Sequence, residues 1–239
     1  MNGEITWAGV AISTLGDFVI ESPPETNRPE RKVDRYKVPG RNGDIVVFQD
    51  AWQNVTRSYD LEIRETGASP DYNDAAEALA AWLYAPSGYQ RLTDSFDALV
   101  YRRAYVSEDT RIRNLVNTDG RCTIEFECDP RRFLLTGETP TTLNGTGTIT
   151  NPTKFTARPT ITVYGSGSGT IAAGGNTITI SSITTGMILD CENYNAYYNN
   201  TNLNSVISGS FPIIPTGAQT ITITGGITSI KVVPNWWSI

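Results

Sequence analysis

The 239-residue chain contains no histidine. Imidazole is the usual base of Ser-His-Asp and Cys-His nucleophile systems and a principal metal ligand, so both kinds of site are excluded in their ordinary form. Cysteine is scarce, with three residues, and its spacing builds no metal centre. In the segment RCTIEFECD, strand alternation puts Cys122, Ile124, Phe126 and Cys128 on one face and Thr123, Glu125 and Glu127 on the other. Six residues of strand hold the two thiols about 20 Å apart, too far for a disulfide between them. Cys191 is in register with Met187 and Leu189. All three thiols read as small core side chains, and neither a metal nor a cofactor is expected.

Long apolar runs are missing too. No stretch approaches the roughly 20 residues of a membrane-spanning helix. The start, MNGEITWAGV, lacks the basic opening and apolar stretch of a secretory signal, so the chain is expected to be made and kept in the cytoplasm before any later destination. The sequons at Asn54, Asn144 and Asn199 carry little weight without such a signal. No basic cluster points to nucleic-acid affinity. With only 18% charged residues and abundant Gly, Thr, Ser and Asn, composition favours strands and turns over helices.

Charge is unevenly spread. Residues 1–138 hold 16 Lys+Arg against 23 Asp+Glu, whereas residues 139–239 hold only Lys154, Arg158 and Lys231 against Asp190 and Glu192. A composition shift this abrupt predicts two domains, 1–138 and 139–239.

In the first, Ile5, Trp7, Val10 and Ile12 begin short strands, and Phe18 to Ile20 form another. Glu21 to Arg35 is polar and interrupted by Pro23, Pro24 and Pro29, which reads as a loop or extended arm. The segment YKVPGRNGDIVVFQDAWQNVTRSYDLEI (36–63) follows, and the domain turns on it. Pro39, Gly40, Asn42 and Gly43 force a reversal. Ile45 to Phe48 is a β-branched and aromatic run, and Gln49 to Asn54 reads as a polar connection interrupted by Trp52. Tyr59, Leu61 and Ile63 then alternate with polar residues as in a half-buried strand. The reading is a protruding hairpin that feeds a core strand.

One helix is expected, about 72–84. Ala75, Leu79, Trp82 and Leu83 form one stripe, Ser69 or Asp71 can cap it, and Pro86 and Gly88 stop it. Leu99 to Val106 reads as a strand pairing with Cys122 to Cys128.

The second domain carries turn signals about every ten residues. Between them lie alternating strands such as Ile161/Val163, Ile178/Ile180, Ile221/Ile223 and Ile230/Val232, as in a sandwich or jelly roll. Gly165 to Gly169 lacks phosphate-loop spacing and reads as a flexible turn. Trp236 and Trp237 must point to opposite faces, one into the core. Tyr197, Tyr198 and Trp237, near a run of asparagines, make a candidate ligand or partner surface of the kind sugars stack on. Two carboxylate pairs, Glu125/Glu127 and Asp94/Asp97, are candidates for glycoside hydrolysis, with a solvated acidic face as the ordinary alternative.

The motifs VPGRNGDI (38–45), SYDLEI (58–63), GYQRL (88–92), RRAYV (102–106) and FECDPRRFL (126–134), in this order, resemble the siphophage distal tail protein (Dit) family along the whole chain. FPIIPTGAQTITITG (211–225) and VPNWW (233–237) extend the match through the second domain. The resemblance implies a mainly β protein. Its first part is a sandwich-like ring domain with one helix and a hairpin arm, and its second a galectin-like sandwich without inserted sugar-binding modules. It further implies a hexameric ring at the virion tail tip, assembled in the host cytoplasm. That ring joins the tail-tube protein to tail-tip, fibre or baseplate proteins, and DNA only passes through its lumen. The resemblance makes Pro39, Gly40, Arg41, Asn42, Gly43, Asp44, Ile45, Val47 and Trp52 an arm packed on the neighbouring subunit, and it implies no catalysis. A carbohydrate-binding host-adhesion module, with weak sugar affinity, is the alternative.

Overall fold

A computed structural model describes residues 3–25, 27–64, 72–106, 112–116, 119–184 and 186–239. The protein is mainly β. It divides into two compact units, Met1–Arg132 with Ile239, and Phe133–Ser238.

The strands of the first unit are β1 (Ile5–Trp7), β2 (Val10–Ala11), β3 (Asp17–Ile20), β4 (Arg31–Tyr36), β5 (Ile45–Trp52), β6 (Val55–Arg64), β7 (Gln90–Asp94), β8 (Val100–Tyr105), β9 (Ile112–Val116) and β10 (Asp119–Leu134). Most form a sheet of order β2-β1-β7-β8-β10-β6-β3, with β9 also on β10. Its spine is the antiparallel pair β6–β10, in register from Arg64 opposite Asp119 to Val55 opposite Cys128. Alternation along both strands sends Tyr59, Leu61, Ile63, Cys122, Ile124, Phe126 and Cys128 into the core. Phe126 lies at its centre, 5.0 Å from the Trp7 ring and edge-on to Tyr59 and Trp82. Burial pushes each of the three free thiols up to about 12, as inert core groups.

Helix α1 (Tyr72–Tyr84) has the expected span, and Ala75, Leu79, Trp82 and Leu83 are all buried. Trp82 Nε1 donates to Val10 O at 3.0 Å, so the indole is satisfied as well as packed. The expected caps Ser69 and Asp71 lie outside the described residues. Of residues 107–120, read from the sequence as a charged loop, the described part is instead strand, in β9 and the start of β10.

Strands β4 and β5 form a separate two-stranded sheet. Two expectations are corrected here. The end of the supposed loop, Arg31 to Arg35, is strand. So is most of the supposed connection, Gln49 to Trp52, leaving Gln53 and Asn54 to link β5 to β6. Period-2 alternation is imposed by burying one face. A hairpin exposed on both faces carries no such stamp, and RKVDRY therefore reads as polar coil.

The second unit contains β11 (Thr141–Leu143), β12 (Gly147–Asn151), β13 (Thr160–Ala173), β14 (Asn176–Ile183), β15 (Met187–Asp190), β16 (Asn195–Tyr198), β17 (Thr201–Asn202), β18 (Ile207–Gly209), β19 (Gly217–Val233) and β20 (Trp237–Ser238). Its sheet runs β11-β19-β13-β15-β16-β17, with β12 on β19, β14 on β13 and β18 on β14. The long strands β13 and β19 hold it together. Ile161, Val163, Ile178, Ile180, Ile221, Ile230 and Val232 are buried, while Ile223 is only partly so. Gly165 to Gly169 is not a turn. It lies inside β13, where the register against β14 and β19 shifts. A Cβ on Gly226 would run into Ser166 O, and one on Gly225 (φ +70) into Ser168 O. The glycines there serve close backbone approach at a bulge, not flexibility.

Candidate functional site

The β4–β5 hairpin is built by its turn. Arg41 N donates to Val38 O at 3.2 Å, with Pro39 second and Gly40 third at φ +79, the pattern of a type II turn. Gly43 (φ +78) completes the reversal. The register Tyr36–Ile45, Arg35–Val46, Asp34–Val47 and Val33–Phe48 sorts the side chains by face. One face carries Tyr36, Ile45, Asp34 and Val47, and Gln49 Nε2 donates to Asp34 Oδ2 there at 2.8 Å. The other carries Arg35, Val46, Val33 and Phe48. Arg31 joins that second face, its guanidinium 4.7 Å from the Trp52 ring centre and 5.8 Å from that of Phe48.

Neither face is covered. Tyr36 is 56% exposed, Phe48 57%, Val47 47% and Val46 45%, and Val38 and Ile45 are also exposed. Pro39 to Asp44 are all exposed, and Trp52 at the base is partly buried. Fully burying one such side chain is worth roughly 1.5–3 kcal/mol. About half of that is still unclaimed at six positions, so covering the arm would release on the order of 5 kcal/mol. An exposed apolar strip of this kind marks an interaction surface.

The arm is rooted in a buried polar cluster. Asp94 Oδ2 accepts from Arg57 Nε at 2.9 Å and from the Tyr59 hydroxyl at 2.7 Å, and Arg57 Nη2 lies 2.8 Å away. Asp94 Oδ1 accepts the backbone N–H groups of Phe96 and Asp97, both at 3.0 Å. Burial alone would lower the Arg57 guanidinium, but Tyr59 and Asp94 reverse this and leave it raised. The Tyr59 hydroxyl is pushed well up, by burial first and then by Asp94. Asp97 takes Arg132 Nη2 at 2.6 Å. The Asp94/Asp97 carboxylates are therefore engaged with arginines, an arrangement that fixes the start of β6 just past the arm.

Glu125 and Glu127 face outward, each tied across the strand pair. Ser58 Oγ donates to Glu125 Oε1 at 3.2 Å and Thr56 Oγ1 to Glu127 Oε1 at 3.1 Å. The same motif continues at Thr123, whose hydroxyl donates to Asp60 Oδ1 at 2.7 Å.

In the second unit, Tyr197 and Tyr198 sit on β16, partly buried, while Trp237 sits on β20. Trp237 stacks on Phe155 at 4.5 Å, and its Nε1 donates to Thr156 O at 3.0 Å. Trp236 is the core partner, 5% exposed. The amides of Asn195, Asn202 and Asn204 are spent internally, while Asn199 and Asn200 at the hairpin tip are exposed. Asn195 Oδ1 accepts from Asn204 Nδ2 at 3.0 Å and from Asn202 Nδ2 at 3.3 Å, and Asn204 Oδ1 accepts from Ala196 N at 2.7 Å. Tyr194, not singled out from the sequence beyond its place in the run, is the exposed aromatic. Its ring carries the Arg158 guanidinium 5.0 Å from its centre, and its hydroxyl accepts from Arg158 Nη1. Its backbone lies at φ +53, uncommon for a non-glycine residue and not legible in the sequence.

No protein-family model matches the sequence, and no curated protein matches it. Among solved structures, the crystal structure of the phage SPP1 Dit protein is similar. It is described as a paradigm of hub adsorption apparatus in phages that infect Gram-positive hosts. The TM-score is 0.73 over 100% of both chains, at 12% identity. The likeness is one of fold. From end to end, the chain has the fold of the SPP1 Dit protein, the fold that its ordered motifs imply.

Proposed function

We propose that this protein is a structural component of a phage tail, a hub that forms a ring at the distal end of the tail tube. Residues 1–138 build the ring, six copies closing it, and the β4–β5 arm packs on the neighbouring subunit. Residues 139–239, a galectin-like sandwich, offer docking surface to fibre or baseplate proteins. DNA passes through the lumen without binding. The observation that carries this reading is the arm itself: six large apolar side chains held in the open by a sheet that its own unit does not cover. A closed ring supplies each arm with an acceptor and each acceptor with an arm, leaving no apolar strip bare at the ends.

The purified protein, examined by light scattering and negative-stain microscopy with and without tail-tube protein, is expected to give closed rings in at least the second condition. A strict monomer in both would overturn the proposal. Sugar binding has less support, because Trp237 is stacked within its own unit and the amides of Asn195, Asn202 and Asn204 are already hydrogen-bonded to one another.

A further inference from the structure

The arm and the body that carries it differ in charge. Residues 31–52 hold five cations (Arg31, Lys32, Arg35, Lys37, Arg41) against three carboxylates, a net of +2. The rest of residues 1–138 holds eleven against twenty, a net of −9. The cations are not spread evenly over the arm. Arg31 and Arg35 share the face that holds Val33, Val46 and Phe48, while on the opposite face Lys32 is balanced by Asp34.

The body has a surface that answers this face. On the outer side of β6–β10, Thr56–Glu127, Ser58–Glu125 and Asp60–Thr123 are directly opposite pairs, and each joins a hydroxyl to a carboxylate. Among the described residues these three carboxylates have hydroxyl partners and no cation in ion-pair distance. By contrast, Glu21, Glu62, Asp94, Asp97 and Asp129 each meet an arginine. Hydroxyl contacts hold a carboxylate in place without neutralising it, so each rung still favours a cation from outside. The end rungs, at Glu127 and at Asp60–Thr123, are four residues apart, about 14 Å along the strand. Arg31 and Arg35 are also four apart, about 13 Å. Apolar contact is available beside the ladder. Tyr105 of β8, partly buried, takes the same outer face on one side, beyond Arg103 and a Tyr101 that is itself buried under Arg91, and Val19 of β3, opposite Glu62, takes it on the other.

We propose that the arginine-bearing face of the arm docks on a second copy of this chain, across the Glu127–Glu125–Asp60 ladder, with Arg31 and Arg35 reaching its end rungs. The proposal rests on the assembly reading above and names the acceptor for it. A copy cannot complete its own ladder in this way, since its arm stands as a separate sheet with its aromatic and β-branched side chains uncovered. Charge complementarity of this kind fixes register and raises association rates, and it weakens in salt.

Charge exchange tests it. Arg31→Glu with Arg35→Glu should weaken self-association at least about tenfold, and Asp60→Arg with Glu127→Arg should do the same. The four changes together should restore it to within about threefold of the wild-type protein. All of these residues are exposed or partly so, and each variant is checked for an unchanged melt. Should the arginine ladder fail to fold, Asp60→Asn with Glu127→Gln is expected to give a smaller weakening and a flatter salt dependence. Ladder variants that assemble like wild type, or single-side losses without rescue in the combined variant, would overturn the inference and leave the ring proposal standing. A wild-type chain that never associates, with or without tail-tube protein, would sink both.

Discussion

Two hairpins invite comparison, β4–β5 in the first unit and β16–β17 in the second. Both are short, both turn on Gly or Asn at positive φ, and both stand out in the sequence as surfaces for a partner. They treat their side chains in opposite ways. In β16–β17 the amides of Asn195, Asn202 and Asn204 satisfy one another and the backbone, which leaves exposed amides only at the tip, Asn199 and Asn200. In β4–β5 charged groups alternate with aliphatic and aromatic side chains, and those apolar side chains have no cover. A polar hairpin can finish itself with local hydrogen bonds, whereas an apolar one must borrow area from another body. Interaction capacity follows from what is left unsatisfied, not from which residue types are present.

The bodies beneath the hairpins give the largest measurable contrast. Cys122 and Cys128 lie in the first unit and Cys191 in the second, all held near 12 by burial. Above pH 9 the unfolded chain loses thiol protons that the folded chain keeps. Their contribution is intact below pH 9 and falls as pH rises toward 12, by several kcal/mol if all three shifts are realised. Denaturant titrations at pH 8 and pH 11 should show the loss, steeper for the first unit. A triple Cys→Ala variant, less stable at pH 8, should show a flatter slope, and an unchanged slope would break the assignment.

Next in size is the arm. Val46→Asp with Phe48→Asp should weaken self-association by about a hundredfold or more, because two central anchors are replaced by charges. The melting temperature should move by no more than a few degrees, since neither side chain supports its own unit. A large fall in melting temperature with association preserved would reverse the comparison. The smallest effect is expected in the other hairpin. Asn195→Ala should cost about 1–3 kcal/mol, seen as a lower melting midpoint for the second unit, with association unchanged.

Much of the fold was legible because one-sided burial writes its period into the chain. The span of α1, the core stripe Ala75–Leu79–Trp82–Leu83 and the inward set Cys122–Ile124–Phe126–Cys128 all come from that signal. Where burial is absent or two-sided the signal fails. Arg31–Tyr36 carries no alternation because no core imposes one, and Gly165–Gly169 reads as a turn although two other strands pass against it. The candidate surface divides the same way. Turn chemistry at Pro39 and Gly40 announces the reversal, but nothing in the linear pattern assigns Arg35 to the face of Phe48 or Asp34 to the face of Val47.

The sequence by itself determined the mainly β class, the helix at 72–84, the inert thiols and the place where the chain reverses. These depend on near neighbours: side-chain period, φ preference and residue volume. Tertiary structure decided which strands partner across long separations, and with them the cross-strand rungs Thr56–Glu127, Ser58–Glu125 and Asp60–Thr123 and the two faces of the arm. Register between distant strands is set by packing and hydrogen bonding over the whole sheet, and a one-residue slip would move every one of these side chains to the opposite face.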